Sequence, residues 1–247
     1  GITSKIKTIK RRVFMKKIFS LTILGLLIIL IAGLSGCADQ SEIEIDSTIE
    51  EDELISDELV EEEIDGLSKE AQNYFEEGLH LHEKRLYDEA IIKFEKVLDL
   101  DPDYKEARDK LVNSWIDKGN ALGDDEKFFE SIEAYEEAIK IDPNQARSWT
   151  NKGWALLRLG NYSEAISSFD KAIEVDPNYI FAWNNKGWTL TNLGRYSEAL
   201  ESFDSAIEID PNQGVIWYNK SIALRRLQRF EEAQEALERA RELGYSE

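Results

Sequence analysis

Cysteine and methionine each appear once in this chain, histidine twice and proline four times. One cysteine excludes an intrachain disulfide and a cysteine-rich metal site. The two histidines, His80 and His82, are two apart, so on a helix they point in different directions and do not pair on a metal. Basic residues are also short: 30 Lys and Arg against 50 Asp and Glu leave a formal charge of −20. That is the wrong sign for a nucleic-acid footprint. There is no phosphate-binding glycine loop, no dinucleotide fingerprint and no Cys/His pair, and the many carboxylates read as solvated helix faces. The expectation is a protein that is not an enzyme, with no cofactor, metal or small-molecule substrate.

Long apolar runs are scarce as well: there is one, from Ile18 to Gly33, broken only by Ser20, Thr22 and Gly25. Everything before it is basic, from Lys5 to Lys17, and it closes on Leu34-Ser35-Gly36-Cys37. A basic start, an apolar middle and small residues before a cut describe a secretory signal over residues 1–36, with Met15 as an alternative start. The Leu-Ser-Gly-Cys ending resembles a lipoprotein lipobox, in which the cysteine is lipidated and becomes the new N-terminus; the resemblance assigns that role to Cys37. The competing reading is an uncleaved anchor, since the nineteen residues 18–36 are long enough to span a bilayer. Both place the rest of the chain on the extracytoplasmic face of a membrane.

Residues 38–68 carry fourteen acids and no base. Together with Cys37, the stretch 37–69 reads as a self-repelling, flexible linker. Ile49, Leu54, Ile55, Leu59, Val60 and Ile64 fall roughly at helical spacing, so a short amphipathic helix is the alternative.

Beyond residue 70 the residues come back on a fixed period. Trp115, Trp149, Trp183 and Trp217 are 34 apart, as are Gly119, Gly153 and Gly187, and Pro143, Pro177 and Pro211. A fixed period of this length is the mark of a stacked repeat architecture. Residues 70–247 divide into units 71–104, 105–145, 146–179, 180–213 and 214–247, of which the second has seven extra residues between Pro102 and Trp115. Seven residues make about two helical turns, so a longer first helix would keep its apolar face in phase. A longer loop at Gly123-Asp124-Asp125 is the other reading.

Trp183, Gly187, Leu190, Ala199, Phe203 and Pro211, and the same set from Trp149 to Pro177, resemble the tetratricopeptide repeat. Lysine replaces the usual leucine before the glycine (Lys118, Lys152, Lys186, Lys220), and leucine replaces the usual tyrosine after it. The resemblance implies an all-α solenoid: five helix-turn-helix repeats in a right-handed superhelix, with the first helix of each (A) lining a concave face and the second (B) outside. Within each hairpin Gly187 is expected to face Ala199 and Ala206, and Gly153 to face Ala165 and Ala172. Gly160 and Gly194 sit where a glycine would close helix A, Asn161 and Glu164 have capping-box spacing, and Asp-Pro-Asn supplies the turn between repeats.

The family's inward positions are the second, fifth, sixth, ninth, twelfth and thirteenth of each unit. They place Asn151, Asn185 and Asn219 in a ladder, beside Trp154 and Trp188, with Arg147, Arg158, Tyr218, Arg225 and Arg226 nearby. Thr150, Asn184 and Thr191 are inward on the same count. A primary amide can donate to and accept from one peptide unit, and the set resembles the asparagine ladder by which some members of the family hold peptide backbones. The implied function is a membrane-anchored interaction scaffold that binds a protein or an extended, partly acidic peptide. The alternatives are a pilotin-like assembly lipoprotein and a spacer with no ligand. The lysine-rich clamp for free C-termini found in some relatives is excluded, because Thr150, Asn184, Trp154 and Trp188 occupy its positions.

Overall fold

A computed structural model describes residues 57–245, with side chains from Asp65 onward. The apolar run, Cys37 and the first twenty residues of the linker lie outside the described residues. Among the described residues ten helices follow one another: α1 (Asp57–Glu83), α2 (Tyr87–Leu100), α3 (Lys105–Asp124), α4 (Phe128–Ile141), α5 (Ala146–Arg158), α6 (Tyr162–Val175), α7 (Ile180–Asn192), α8 (Tyr196–Ile209), α9 (Gly214–Arg226) and α10 (Phe230–Glu242). Among the described residues there is no strand, and no helix is long and apolar enough to cross a membrane.

The helices pair in sequence as five A–B hairpins. Each A helix also touches the A helix of the next repeat, whereas no B helix reaches the next B helix. The array therefore curves with A helices on the inside. Curvature of this kind gives stacked repeats an extended concave surface.

The buried positions explain both the helices and their stacking. In α6, Ala165, Ser168, Phe169 and Ala172 are buried, and in α8 Ala199, Ser202, Phe203 and Ala206. That i, i+3, i+4, i+7 stripe faces helix A of the same repeat. The glycines serve a ring rather than the alanines. A methyl on Gly187 would stand 2.7 Å from Phe203 Cε1, one on Gly153 2.6 Å from Phe169 Cε1, and one on Gly119 2.5 Å from Tyr135 Cε1. The aromatic ring of helix B lies flat across helix A, and only a residue without Cβ leaves room for it.

Each A helix closes through a left-handed residue. Gly160 has φ +80° and Gly194 φ +76°, while Arg85, Glu126 and Gln228 hold the same turn near +60° in the other repeats. The amide of Asn161 donates to Leu156 O at 2.9 Å and that of Gly160 to Leu157 O at 2.9 Å, which satisfies the last carbonyls of α5. The capping box is absent: Asn161 makes no side-chain cap bond. The chain enters α6 straight from the left-handed turn, which leaves the Asn161 side chain exposed. Between repeats, Asp142, Asp176 and Asp210 accept from the amide two residues on at 2.9, 3.0 and 2.9 Å.

The tryptophans occupy equivalent seats. Trp149, Trp183 and Trp217 donate their indole N–H to Pro143, Pro177 and Pro211 carbonyls, each at 2.9 Å. A lysine lies over each ring, and bridges to a carboxylate on the preceding repeat: Lys152 to Glu136, Lys186 to Asp170, Lys220 to Asp204. So the lysine that departs from the family pattern fastens one repeat to the next. Trp115 keeps the lysine contact, with Lys118 at 4.8 Å. Two extra turns of α3 separate it from Pro102, whose carbonyl receives the Arg108 guanidinium instead. The seven additional residues thus lengthen helix A, to 20 residues against 13 in α5, α7 and α9, and leave the inter-helix loop short.

The first helix departs from the linker reading. α1 begins at Asp57 and runs without a break into the first repeat, so residues 57–69 are helical. The Lys69–Asp65 pair, four apart at 2.6 Å, supports that extension.

Candidate functional site

The inner face is built by the A helices, and its two halves are bonded differently. Around the second and third repeats the polar side chains close on one another. Asp117 Oδ1 accepts from Arg147 at 3.0 Å, and its Oδ2 lies 3.2 Å from His82 Nε2. Asn120 Oδ1 accepts from Asn151 Nδ2 at 2.9 Å and from the Tyr135 hydroxyl at 2.8 Å. Burial pushes the Tyr135 pKa up, with the Asp124 and Asp117 carboxylates adding to the rise while a Ser131 hydrogen bond and Arg147 oppose it. The second and third repeats are tied together here, and from the first His82 Nε2 stands beside the carboxylate without a hydrogen bond.

The asparagine ladder is therefore not uniform. Asn151 gives one N–H to the preceding repeat. Asn219, buried, does the same to Asn184 Oδ1 at 3.0 Å. Asn185 lies between them with no side-chain hydrogen bond among the described residues. The residue that should receive it, by analogy with Asn184, is Thr150; that side chain is buried and its Oγ1 has no partner. Thr150 and Thr191 thus lie beneath the surface rather than lining it, and Thr191 Oγ1 donates to Gly187 O at 2.9 Å.

The other expected residues fall on this face in different states. Trp154 packs edge-on against Phe128 at 5.8 Å, and Arg158 covers both rings at 5.1 and 4.8 Å. Trp188 is half-buried with no aromatic partner among the described residues. Arg147 is engaged with Asp117, as above. Tyr218 is covered, because Tyr245 stacks on it at 4.5 Å after the chain reverses at Gly244. Arg225 and Arg226 are exposed and, among the described residues, have no carboxylate partner. Sequence reasoning missed His82, Asp117 and Asn120. Each is an inward position of its own repeat, and counting the second repeat back from Trp115 would have found the last two.

The architecture is that of a helical-hairpin solenoid with one concave, polar face. Family models confirm the kind: those described as tetratricopeptide or TPR repeat match residues 71–104, 119–160, 146–179, 180–213 and 202–235. The chain therefore carries a tetratricopeptide-repeat array. Among curated proteins no sequence matches it. Many solved structures share the fold, MamA and YrrB among them. MamA is 22% identical with a TM-score of 0.55, over 67% of this chain and 93% of that one. YrrB, described as a TPR protein with an unusual peptide-binding site, is 22% identical with a TM-score of 0.54, over 74% of this chain and 91% of that one.

Proposed function

We propose that this chain is an interaction scaffold, anchored on the extracytoplasmic face of a membrane through lipidated Cys37, which holds an extended peptide along the inner face of its repeats. The anchoring part rests on the basic start, the apolar run and the single cysteine that closes it. The binding part is supported by the concave array and by the peptide-binding site attributed to YrrB, a protein of the same fold. One observation carries it: Asn185 makes no side-chain hydrogen bond among the described residues, and it shares α7 with the half-buried Trp188, one repeat on from the half-buried Trp154. An amide in that state can accept from a peptide N–H and donate to its carbonyl at once.

The test is a set of peptides selected by display on the purified repeat-bearing chain, followed by affinity measurements on alanine variants. Asn185→Ala should weaken the selected peptides about tenfold, as loss of two hydrogen bonds implies. Asn151→Ala and Asn219→Ala should weaken them less, since each keeps part of its amide for the neighbouring repeat. Failure to select any peptide, or indifference of the selected ones to Asn185, would overturn the reading. For the anchor, a Cys37→Ser protein that still incorporates labelled lipid removes the assignment.

A further inference from the structure

The array displays, within itself, a seat for an aromatic side chain. In the second repeat, the space between the end of α3 and the start of α4 is filled by Trp154 of the third repeat. Its ring meets Phe128 edge-on and lies 3.4 Å from where a methyl on Gly123 would be. Arg158, one turn further along α5, covers both rings. Counted with each repeat's tryptophan as the fourth residue, Trp154 is ninth and Phe128 seventeenth.

The fifth repeat has a related seat, in which Arg225 stands at the position of Gly123. Its walls are Ile222 and Phe230, the ninth and seventeenth residues, and its rim is Arg225 and Arg226; together they line an open pocket of about 400 Å³. Ile222 replaces Asn120 there, so the wall is more apolar than the one Trp154 fills. Among the described residues no side chain occupies it, and Phe230 is 63% exposed where Phe128 is half-buried. Of the described residues after α10, Tyr245 lies on the neighbouring flank, stacked on Tyr218.

Its charge differs from that of the surroundings. Arg195, Lys220, Arg229 and Arg239 nearby are each paired with a carboxylate. Arg225 and Arg226 are not, in a chain whose formal charge is −20. Their place in the last turn of α9 suits the negative end of the helix, and it leaves both guanidinium groups facing solvent.

We propose that this seat takes an aromatic side chain of a bound peptide, with an acidic residue next to it held by Arg225 and Arg226. The proposal rests on the groove reading above and names what the C-terminal end of that groove selects. An apolar wall supplies the burial, the exposed Phe230 ring an edge-to-face partner, and the arginines charge-assisted bonds to a carboxylate.

The experiment uses fluorescein-labelled synthetic peptides and the purified chain. The first probe is an acidic peptide with one central tryptophan; the second replaces that tryptophan with alanine; the third is residues 38–56 of this chain, acidic but without an aromatic residue. The first should bind about tenfold more tightly than the other two. Phe230→Ala should weaken it about tenfold, and Arg225→Glu with Arg226→Glu by a similar factor that grows as salt is lowered. Because Phe230 is exposed, the alanine variant should keep its helical signal and melting midpoint. Equal binding of the three peptides, no binding of the first, or no effect of Phe230→Ala would overturn the seat. Display-selected peptides that depend on Asn185 and ignore Phe230 would leave the groove standing and remove the seat alone.

Discussion

The two halves of the inner face carry the same kinds of residue and use them in opposite ways. From the second repeat to the third, Asp117, Asn120, Arg147 and Asn151 engage one another, Tyr135 joins them from helix B, and His82 of the first repeat stands 3.2 Å from Asp117. In the fourth and fifth repeats, Asn185, Arg225 and Arg226 are unengaged among the described residues and Phe230 is bare. The closed half holds the second and third repeats in register. The open half ties its joint through the Asn219–Asn184 bond and leaves Asn185, Arg225 and Arg226 unengaged among the described residues. A shared helical frame therefore does not mean shared work: the difference lies in which groups find partners across the repeat joint.

Substitutions in the two halves should separate stability from recognition. The largest effect is expected from Gly119→Ala. Its methyl would meet the Tyr135 ring at 2.5 Å, and the hydroxyl bond to Asn120 keeps that ring from swinging away. We expect a loss of about 1–3 kcal/mol by urea unfolding. Gly187→Ala in the open half should cost less, because Phe203 has no such tether. Equal losses would mean that the tether adds nothing.

Next in size is Asp117→Ala, which leaves His82 and Arg147 without their shared carboxylate. Stability should fall by about 1–2 kcal/mol, with little change in affinity for peptides that contact the open half. Arg225→Ala should do the reverse, moving stability by less than about 0.5 kcal/mol while weakening acidic peptides. If Asp117→Ala weakened binding as much as Arg225→Ala, the division between halves would fail.

The smallest effect is on pH dependence, and its sign differs between the halves. Hydrogen bonds from Arg195 and Arg229 hold the Glu198 and Glu232 carboxyls below their ordinary value of 4.5. That contribution is present above the ordinary value and is lost as pH falls through the lowered one. Burial raises Tyr135 above its ordinary value of 10.0, so its contribution is present below that pH and is lost as pH rises through the raised value. The difference in melting midpoint from the native protein should change with pH only on the acid side for Glu198→Gln with Glu232→Gln, and only on the alkaline side for Tyr135→Phe. A shift of both on the same side would contradict this assignment.

Much of the frame could be read from the chain alone. Each repeat buries the same residue types at the same count, so Trp, Gly, Phe and Pro recur visibly at 34 residues. The extra seven in the second repeat kept phase as helix, as their number allowed. What could not be read was the bonding across the joints. The sixth-position asparagine finds a ninth-position partner in one joint (Asn120) and a fifth-position one in another (Asn184). Asp117 looks like any surface carboxylate until His82 and Arg147 arrive from the repeats on either side. Tyr218 counts as inward by position, yet a residue 27 further on, beyond a left-handed glycine, lies over it.

The two surplus turns of α3 set a rule for what lengths this fold accepts. A helix advances about 100° per residue, so seven residues return a side chain to within about 20° of its starting bearing. Ala107 and Leu111 can therefore dive into the same interior as the residues below them, and both are buried. One residue more or fewer would swing them toward water and set Lys105 and Arg108 against the neighbouring helix. Growth at the head of a repeat thus proceeds in steps of the turn and not of the residue, and a spur of two turns can be added without disturbing the repeats on either side.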